Sequence, residues 1–370
     1  MAPRAATEAR RQIGAVRLPV RRLHLELTSR CNFACEFCPA RRLTRPHGEL
    51  ALGTVARLLA EAGAGGLAQE AHFHVLGEPL LYPELARAIR LARESGLRPW
   101  VTTNASLLTP ERLRELRGAG LEHLTVSLQT PDAATFGIRG CAELPFEAYR
   151  ERLLQAVRAH LAEPSDLEVT LSVLVNPLRR FHAPGAPRHR VAQSGPELRQ
   201  HLARWVEAIF AGTPHAPAIP ALLARTARAG ILMERRIPLA GGVAFQVRAL
   251  GSWAEHFQAP VRPAFFGYCP GLTEHLGVLC NGDYVLCCAD YDGQTVLANA
   301  GTTSLAAYLA LPEVQAIAAG FRRFRVVHPY CRRCLGDRRR VDVLLRGVGS
   351  ILYFKVYRPL MRRDGCREAG

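Results

Sequence analysis

The sequence predicts an α/β fold built on a mostly parallel sheet, and three observations carry that expectation. Strand-like apolar runs alternate with helix-period segments from residue 22 to residue 175, at the spacing of consecutive strand–helix units. Polar and glycine-containing motifs recur just past those runs, where parallel α/β folds gather their ligands. No run of 18 or more apolar residues occurs, so no membrane-spanning helix is expected.

Residues 22–27 alternate apolar and polar side chains as a first strand. Pro46 and Gly48 mark a turn. Residues 52–62 then read as a helix with Val55, Leu58 and Leu59 on one face, ended by Gly63. Residues 71–75 form the second strand, running into Gly77-Glu78-Pro79. Alternation sets His72 and His74 on one of its faces and Phe73 and Val75 on the other, leaving open which face looks inward. His74 suits either a substrate contact or a structural role. A helix over 85–95 leads to a strand over 98–103 that ends at Thr103-Asn104. The helix over 110–118 starts on a proline, as fits a first helical position. The strand over 121–128 ends in Ser127-Leu128-Gln129, and the helix over 146–161 leads to a strand over 167–175 ending at Asn176. The rhythm breaks over 177–240, a helical insert with a Pro/Arg/His-rich loop at 179–187. Its clearest helix is 196–211, with Leu198, Leu202, Trp205, Val206, Ile209 and Phe210 on one face. A second helix is expected over 219–229, before a sixth strand within 241–252. A lid, a partner surface and mere decoration all fit the insert.

The net charge of +16 comes almost wholly from arginine, since Lys355 is the sole lysine. Residues 1–22 carry six arginines against one acid, and residues 337–370 carry nine basic residues against four acids. Solvated tails explain this, as does loose contact with an anionic membrane or nucleic acid. A basic arm is expected over 1–20. In the tail over 337–370, Gly347, Gly349 and Pro359 favour a packed helix pair over an interfacial helix. The first 14 residues lack the apolar core of a secretory signal, which points to a cytoplasmic protein. Eleven cysteines in that setting point to metal binding rather than disulfides.

Cys31, Cys35 and Cys38 follow the first strand at the spacing C-x3-C-x2-C. Three thiolates are one short of the four that usually close an iron–sulfur cube, and so leave one iron open. Structural zinc favours C-x2-C pairs and a closed shell of four ligands. A second group holds Cys269, Cys280, Cys287, Cys288, Cys331 and Cys334. The Asn281-Gly282 turn should pair 278–279 with 284–286 and bring Cys287 back toward Cys269. Cys331 and Cys334 add two more thiolates, and four close either a zinc or an iron–sulfur site.

At these residues the sequence resembles the radical S-adenosylmethionine (SAM) enzymes, with Phe37 the aromatic residue before the last loop cysteine. The resemblance implies a partial (β/α)6 radical SAM barrel over 21–264. It places a SAM-bound [4Fe-4S] cluster on Cys31, Cys35 and Cys38. Gly77, Glu78 and Pro79 correspond to the family's Gly-Gly-Glu-Pro motif, with Leu76 in place of the first glycine. Thr103, Asn104, Ser127, Gln129 and Asn176 fall at further strand ends and are implied SAM contacts. Gln129 stands where the family often has an acid, which leaves it hydrogen bonding alone. Arg139-Gly140 is similar to the family's Arg-Gly pair, so Arg139 is a candidate catalytic residue. Cys141 beside it is a candidate hydrogen donor or a small buried hydrophobe. The second cysteine group is similar to a twitch domain, the shortened SPASM extension of butirosin-type aminocyclitol dehydrogenases, here a β-hairpin/helix domain over 265–336. It implies one auxiliary [4Fe-4S] cluster on Cys269, Cys287, Cys331 and Cys334, with Cys288 as the rival to Cys287.

The function so implied is reductive cleavage of SAM to a 5′-deoxyadenosyl radical that abstracts hydrogen from a substrate C–H bond. The expected enzyme is an oxidoreductase that dehydrogenates or epimerises a small polyol, sugar or aminocyclitol, with a flavodoxin- or ferredoxin-type electron donor. A SPASM-type maturase of a ribosomal peptide is the alternative among enzymes, and a zinc-stabilised binding protein the alternative outside them.

Overall fold

The computed structural model describes residues 12–141, 143–176, 190–231, 234–250 and 260–363. It opens with a small antiparallel pair, β1 (Gln12–Ile13) and β2 (Val16–Arg17). Gln315, far along the chain, holds this pair: its Nε2 donates to the Ile13 carbonyl at 2.9 Å and its Oε1 accepts from the Ala15 N–H at 2.5 Å. The described part of the expected basic arm is therefore folded, while residues 1–11 lie outside the described residues.

Strands β3 (Val20–Leu25), β4 (Ala68–Phe73), β5 (Arg98–Thr103), β6 (His123–Gln129) and β7 (Glu168–Val175) pair in parallel in chain order. Past them, β8 (Arg235–Pro238) lies antiparallel on β9 (Val243–Ala249), and β9 is parallel to β7. Helices α1 (Leu52–Ala64), α2 (Leu85–Glu94), α3 (Pro110–Gly118), α4 (Ala133–Phe136) and α5 (Phe146–Leu161) run between them. This is the expected series of six parallel strands. Local chemistry sets the ends: the Thr109 hydroxyl accepts from the Arg112 N–H ahead of α3, with Pro110 in the first turn.

The apolar alternates of the strands (Leu23, Leu25, Ala71, Phe73, Val101, Leu171, Phe245) join the helices in the main core. The other alternates are polar, and they are buried too: His24, Glu70, His72, His123, Thr125, Thr170, Ser172 and Gln246. A sheet buried on its polar face has to curl around that face, as a partial barrel does.

Helices α6 (Gly195–Phe210) and α7 (Ile219–Thr226) make up the described helical part of the insert, and 177–189 lies outside the described residues. Ser194 caps α6 by accepting from Glu197 N–H, while Glu197 accepts from Gln193 N–H. The apolar face of α6 is buried, and Trp205 donates to the Pro131 carbonyl at 2.9 Å. This part of the insert is outer-layer packing rather than a lid.

The C-terminal hairpin forms as expected from β10 (His275–Val278) and β11 (Tyr284–Val285) around the Asn281-Gly282 turn, with Gly282 at φ +88°. Its placement was not legible. β10 pairs in parallel with β3, His275 opposite Arg22 and Val278 opposite Leu25, so the hairpin extends the barrel sheet. Helices α8 (Leu305–Ala310), α9 (Pro312–Arg322) and α10 (Pro329–Cys334) follow. The tail differs from the expected helix pair. α11 (Arg340–Leu352), a π-helical stretch (Tyr353–Tyr357) and α12 (Arg358–Arg363) form one helical run. Gly347 does not interrupt it but lets it approach residue 266, since an added Cβ would stand 2.8 Å from the Phe266 carbonyl oxygen. Arg358 pairs with Glu274 at 2.6 Å, and Lys355 lies 3.7 Å above the Tyr268 ring.

Candidate functional site

The three-cysteine loop leaves the end of β3 and is held by backbone and side chain together. Ala34 and Glu36 N–H groups donate to the carbonyls of Arg139 and Ile138 at 3.2 and 2.9 Å, and Cys38 N–H donates to Cys35 O at 3.0 Å. The Cys31 sulfur accepts from Phe33 N–H at 3.4 Å and from Asn104 Nδ2 at 3.7 Å. The Cys35 sulfur accepts from Arg139 Nε at 3.3 Å. Burial pushes the Cys31 thiol up to about 12 and the Cys38 thiol up to about 11, with like charge on the neighbouring thiols adding to it. Three crowded thiols are a donor set for a cationic centre, and the surrounding N–H donors suit sulfur carrying negative charge.

The turn after β4 closes on this loop. Gly77 sits at φ +76°, and an added Cβ would collide with the Thr28 carbonyl, so a side chain meets both strain and a backbone clash. Glu78 is buried, its N–H donating to Arg30 O at 2.8 Å. Its carboxylate accepts from Thr103 Oγ1 and Asn104 N–H, both at 2.6 Å, and from Leu80 N–H at 3.0 Å. Burial raises its pKa against the pull of these donors. Pro79 starts the buried turn that follows. Asn104 also links to Asn32 at 2.9 Å, and Asn32 to Ser106 at 2.8 Å. The ends of β3, β4 and β5 thus form one hydrogen-bonded network. Gly77→Ala should cost roughly 2–3 kcal/mol in stability by the strain of a forced left-handed residue. Urea unfolding checks this, and a loss below about 0.5 kcal/mol, the range of an ordinary surface substitution, would count against the packing described.

The other expected residues fall at nearby strand ends. Ser127 and Gln129 are half-buried at the end of β6, where the pairing slips and Gln129 adopts φ +52°. Asn176 is buried past β7, its N–H donating to Ala192 O at 2.8 Å. Phe37 packs with Leu174, Val191 and Leu250. Arg139 is fully buried and already engaged: besides Cys35, its Nη1 donates to the carbonyls of Ser127 and Leu128 at 2.7 and 2.9 Å. It positions the loop against β6, whereas a catalytic group would face substrate. Cys141 packs half-buried against the main core.

Two features escaped the sequence reading. Glu26, fully buried at the end of β3, is bridged by Arg45 Nη2 at 2.6 Å. It also accepts from the N–H groups of Leu76 and Cys280 at 3.3 and 2.9 Å. Arg45 goes on to the Cys280 sulfur at 3.0 Å and the Tyr291 carbonyl at 2.9 Å. One buried ion pair thus ties the cysteine loop to the C-terminal hairpin, and this is where Cys280 belongs. The second is the polar face of the sheet. Trp100 stacks on His72 and His123 with centroids 4.8 and 3.6 Å away, and Glu70 takes His72 at 2.9 Å and Arg98 at 2.5 Å. The alternation of His72 and His74 was the available signal, but the inward face was not readable.

Among the second cysteines, Cys269 and Cys287 flank Gly271, whose N–H donates to Cys269 at 3.4 Å. Burial drives the Cys287 thiol well above its usual range, with Cys269, Cys288, Cys334 and Cys331 close enough to add repulsion. Burial pushes Cys269 up to about 12, with Cys334, Cys288 and Glu274 adding to it. Cys288 thus neighbours the same thiols and also lies near Arg22 and Arg248. Tyr330, in the helix carrying Cys331 and Cys334, donates to the Ala289 carbonyl at 3.0 Å and closes this region.

The radical SAM superfamily profile matches residues 25–165, and that of the SPASM iron–sulfur cluster-binding domain matches residues 269–335. The chain is 39% identical over 138 residues to a GTP 3′,8-cyclase of Synechococcus sp. (strain CC9902), covering 35% of this chain and 38% of that protein. It is 42% identical over 118 residues to a PqqA peptide cyclase of Ruegeria pomeroyi, covering 30% of this chain and 29% of that protein. It thus spans less than two fifths of the length of these relatives. Streptococcus suis SuiB bound to S-adenosylmethionine superposes with a TM-score of 0.51 at 16% identity, over 86% of this chain and 71% of that one, a likeness of fold. BtrN in complex with AdoMet and 2-DOIA superposes at 0.48 with 17% identity, over 82% and 88%. The two matched domains bring a SAM-bound [4Fe-4S] cluster, SAM and an auxiliary iron–sulfur cluster. Among the described residues, no helix is long and apolar enough to cross a membrane. With one profile on the barrel strands and the other on the cysteine hairpin paired to them, the chain carries a radical SAM domain and a SPASM-type iron–sulfur cluster-binding domain.

Proposed function

We propose that this radical SAM enzyme is an oxidoreductase that removes hydrogen from a C–H bond of a small polyol, sugar or aminocyclitol. When bound, SAM and its cluster supply one-electron cleavage to a hydrogen-abstracting radical. In this reading Cys31, Cys35 and Cys38 ligate that cluster, and Asn104 and Arg139 stabilise sulfur charge. Glu78 holds the turn that meets the SAM amine, with Thr103 and Asn104 fixed against its carboxylate. Ser127, Gln129 and Asn176 contact the rest of SAM from the neighbouring strand ends. Cys269, Cys287, Cys331 and Cys334 ligate the auxiliary cluster, which suits acceptance of the second substrate electron. The observation that carries the proposal is the β10–β3 pairing, reinforced by Glu26 and Arg45, which sets the two cysteine groups against one sheet. The packed position of Cys141 favours oxidation over epimerisation, which needs a thiol facing substrate. Peptide maturation is the second reading, favoured by the 42% likeness to the PqqA peptide cyclase.

Anaerobic reconstitution tests this. About eight irons per chain, from two four-iron clusters, and reductant-dependent 5′-deoxyadenosine are expected. Transfer of deuterium from labelled polyols into 5′-deoxyadenosine would favour the first reading. Transfer from peptides alone would favour the second, and intact SAM with zinc in place of iron would overturn both.

A further inference from the structure

The polar face of the sheet holds a cluster that the proposed radical chemistry leaves unused. His24 of β3 stands directly beside His72 of β4 in the parallel register, and alternation puts His74 on the same face. One ring nitrogen from each lies within 4.8 Å of the others. Ring centroids are 5.0 Å apart for His24 and His72 and 5.1 Å apart for His24 and His74. His24 is 3% exposed, yet both its ring nitrogens, and Nδ1 of His74, are closed to water without a hydrogen-bond partner. Buried polar atoms in native proteins are nearly always satisfied, so three orphaned nitrogens in one place call for a ligand. His72 indicates which. Its Nε2 meets Glu70 Oε2 at 2.9 Å, the carboxylate–imidazole pairing that fixes the tautomer of a metal-bound histidine and leaves Nδ1 with its lone pair.

We infer that His24, His72 and His74 form a site for a divalent transition metal ion of the Zn2+ class, with Glu70 orienting His72. Three imidazoles suit zinc and its neighbours, whereas Mg2+ and Ca2+ take oxygen ligands. A fourth imidazole, His275 of β10, lies 5.8 Å from His24. The nearby cations do not forbid the ion, because each stands by a carboxylate: Arg21, Arg22 and Arg98 by Glu70 at 3.4, 3.7 and 2.5 Å, and Arg248, which acts on His74, by Glu234 at 3.9 Å. Orphan nitrogens closed to water also favour a single ion over a substrate, which needs an open cavity. The ion ties β3 to β4 next to the strand that joins the SPASM-type hairpin to the barrel. This site is separate from both cysteine groups and does not depend on the substrate reading above.

The test uses anaerobic protein with its iron–sulfur clusters reconstituted, so that the cysteines are filled, titrated with Co2+. Expected is one Co2+ per chain, with visible d–d absorption, no thiolate-to-cobalt charge-transfer band, and displacement by one equivalent of Zn2+. His24→Phe and His74→Phe should each weaken binding by roughly 100-fold or more, and Glu70→Gln by about 10–100-fold, as loss of an outer partner does. Iron content and far-UV circular dichroism of each variant verify the fold, with His72→Asn replacing any variant that fails. No binding at millimolar Co2+, bound cobalt showing thiolate charge transfer, or unchanged affinity in a folded His24→Phe protein would each overturn the inference.

Discussion

Cys35→Ser is expected to reduce SAM cleavage to background and to remove about four of roughly eight irons per chain, the content of one four-iron cluster. The residue has no substitute: its loop offers only Cys31 and Cys38 besides, and both already serve the same cluster in the proposed reading. The Arg139 Nε–Cys35 contact at 3.3 Å couples the sulfur to the end of β6, where Arg139 Nη1 holds two carbonyls. A serine oxygen preserves much of that contact, so the fold survives while the soft ligand is lost. Iron and sulfide analysis beside a 5′-deoxyadenosine assay checks this. The second cysteine group is the internal control: its iron should remain, and the equivalent change Cys331→Ser should remove the complementary four. Full iron and undiminished SAM cleavage in Cys35→Ser would remove the loop from the catalytic site.

Glu26→Ala is expected to destabilise the protein by roughly 3–5 kcal/mol, the cost of stripping one partner from a buried ion pair. Glu26 is fully buried, and Arg45 is nearly so, with both carboxylate oxygens 2.6 Å from Nη2. Truncation leaves the guanidinium charged in a dry site and frees the N–H groups of Leu76 and Cys280. Glu26→Gln keeps one acceptor oxygen, though its NH2 faces the other donor, and should cost less than the truncation. The exposed Arg114–Glu111 pair, at 3.0 Å on one helix face, is the contrast: removing it by Arg114→Ala should cost far less. Urea unfolding of the three variants compares the two environments. Since Arg45 also holds Tyr291 and Cys280, Glu26→Ala should lose iron faster on dilution than the wild type. Equal stability of Glu26→Ala and Arg114→Ala would show that the hub does not hold this junction together.

The features legible in the sequence share one property, dependence on short range. Strand alternation, the proline that opens α3, the Asn281-Gly282 turn and the C-x3-C-x2-C spacing are written within a few residues. They were enough for the six parallel strands, their helices and the hairpin, and for the motif-borne family resemblance. They could not supply contacts whose partners lie far apart in the chain. The pairing of β10 with β3 joins segments separated by some 250 residues, and nothing local distinguishes a strand that extends a barrel sheet from one in a separate unit. The same holds for Glu26, Arg45 and Cys280, whose meeting turns an ordinary strand glutamate into a buried hub. Arg139 shows the limit in the other direction, since its Arg-Gly motif stood out while only tertiary structure set its partners as sulfur and backbone carbonyls. Gly347, Gly349 and Pro359 in the tail read as breaks, yet the described part of the tail packs against residues 266–274 as one helical run. Alternation placed His72 and His74 on one face, but only the curvature of the sheet decided that this face is enclosed. Burial comes from the wrapping of distant strands, and that wrapping leaves three imidazoles facing one another with nitrogens unsatisfied.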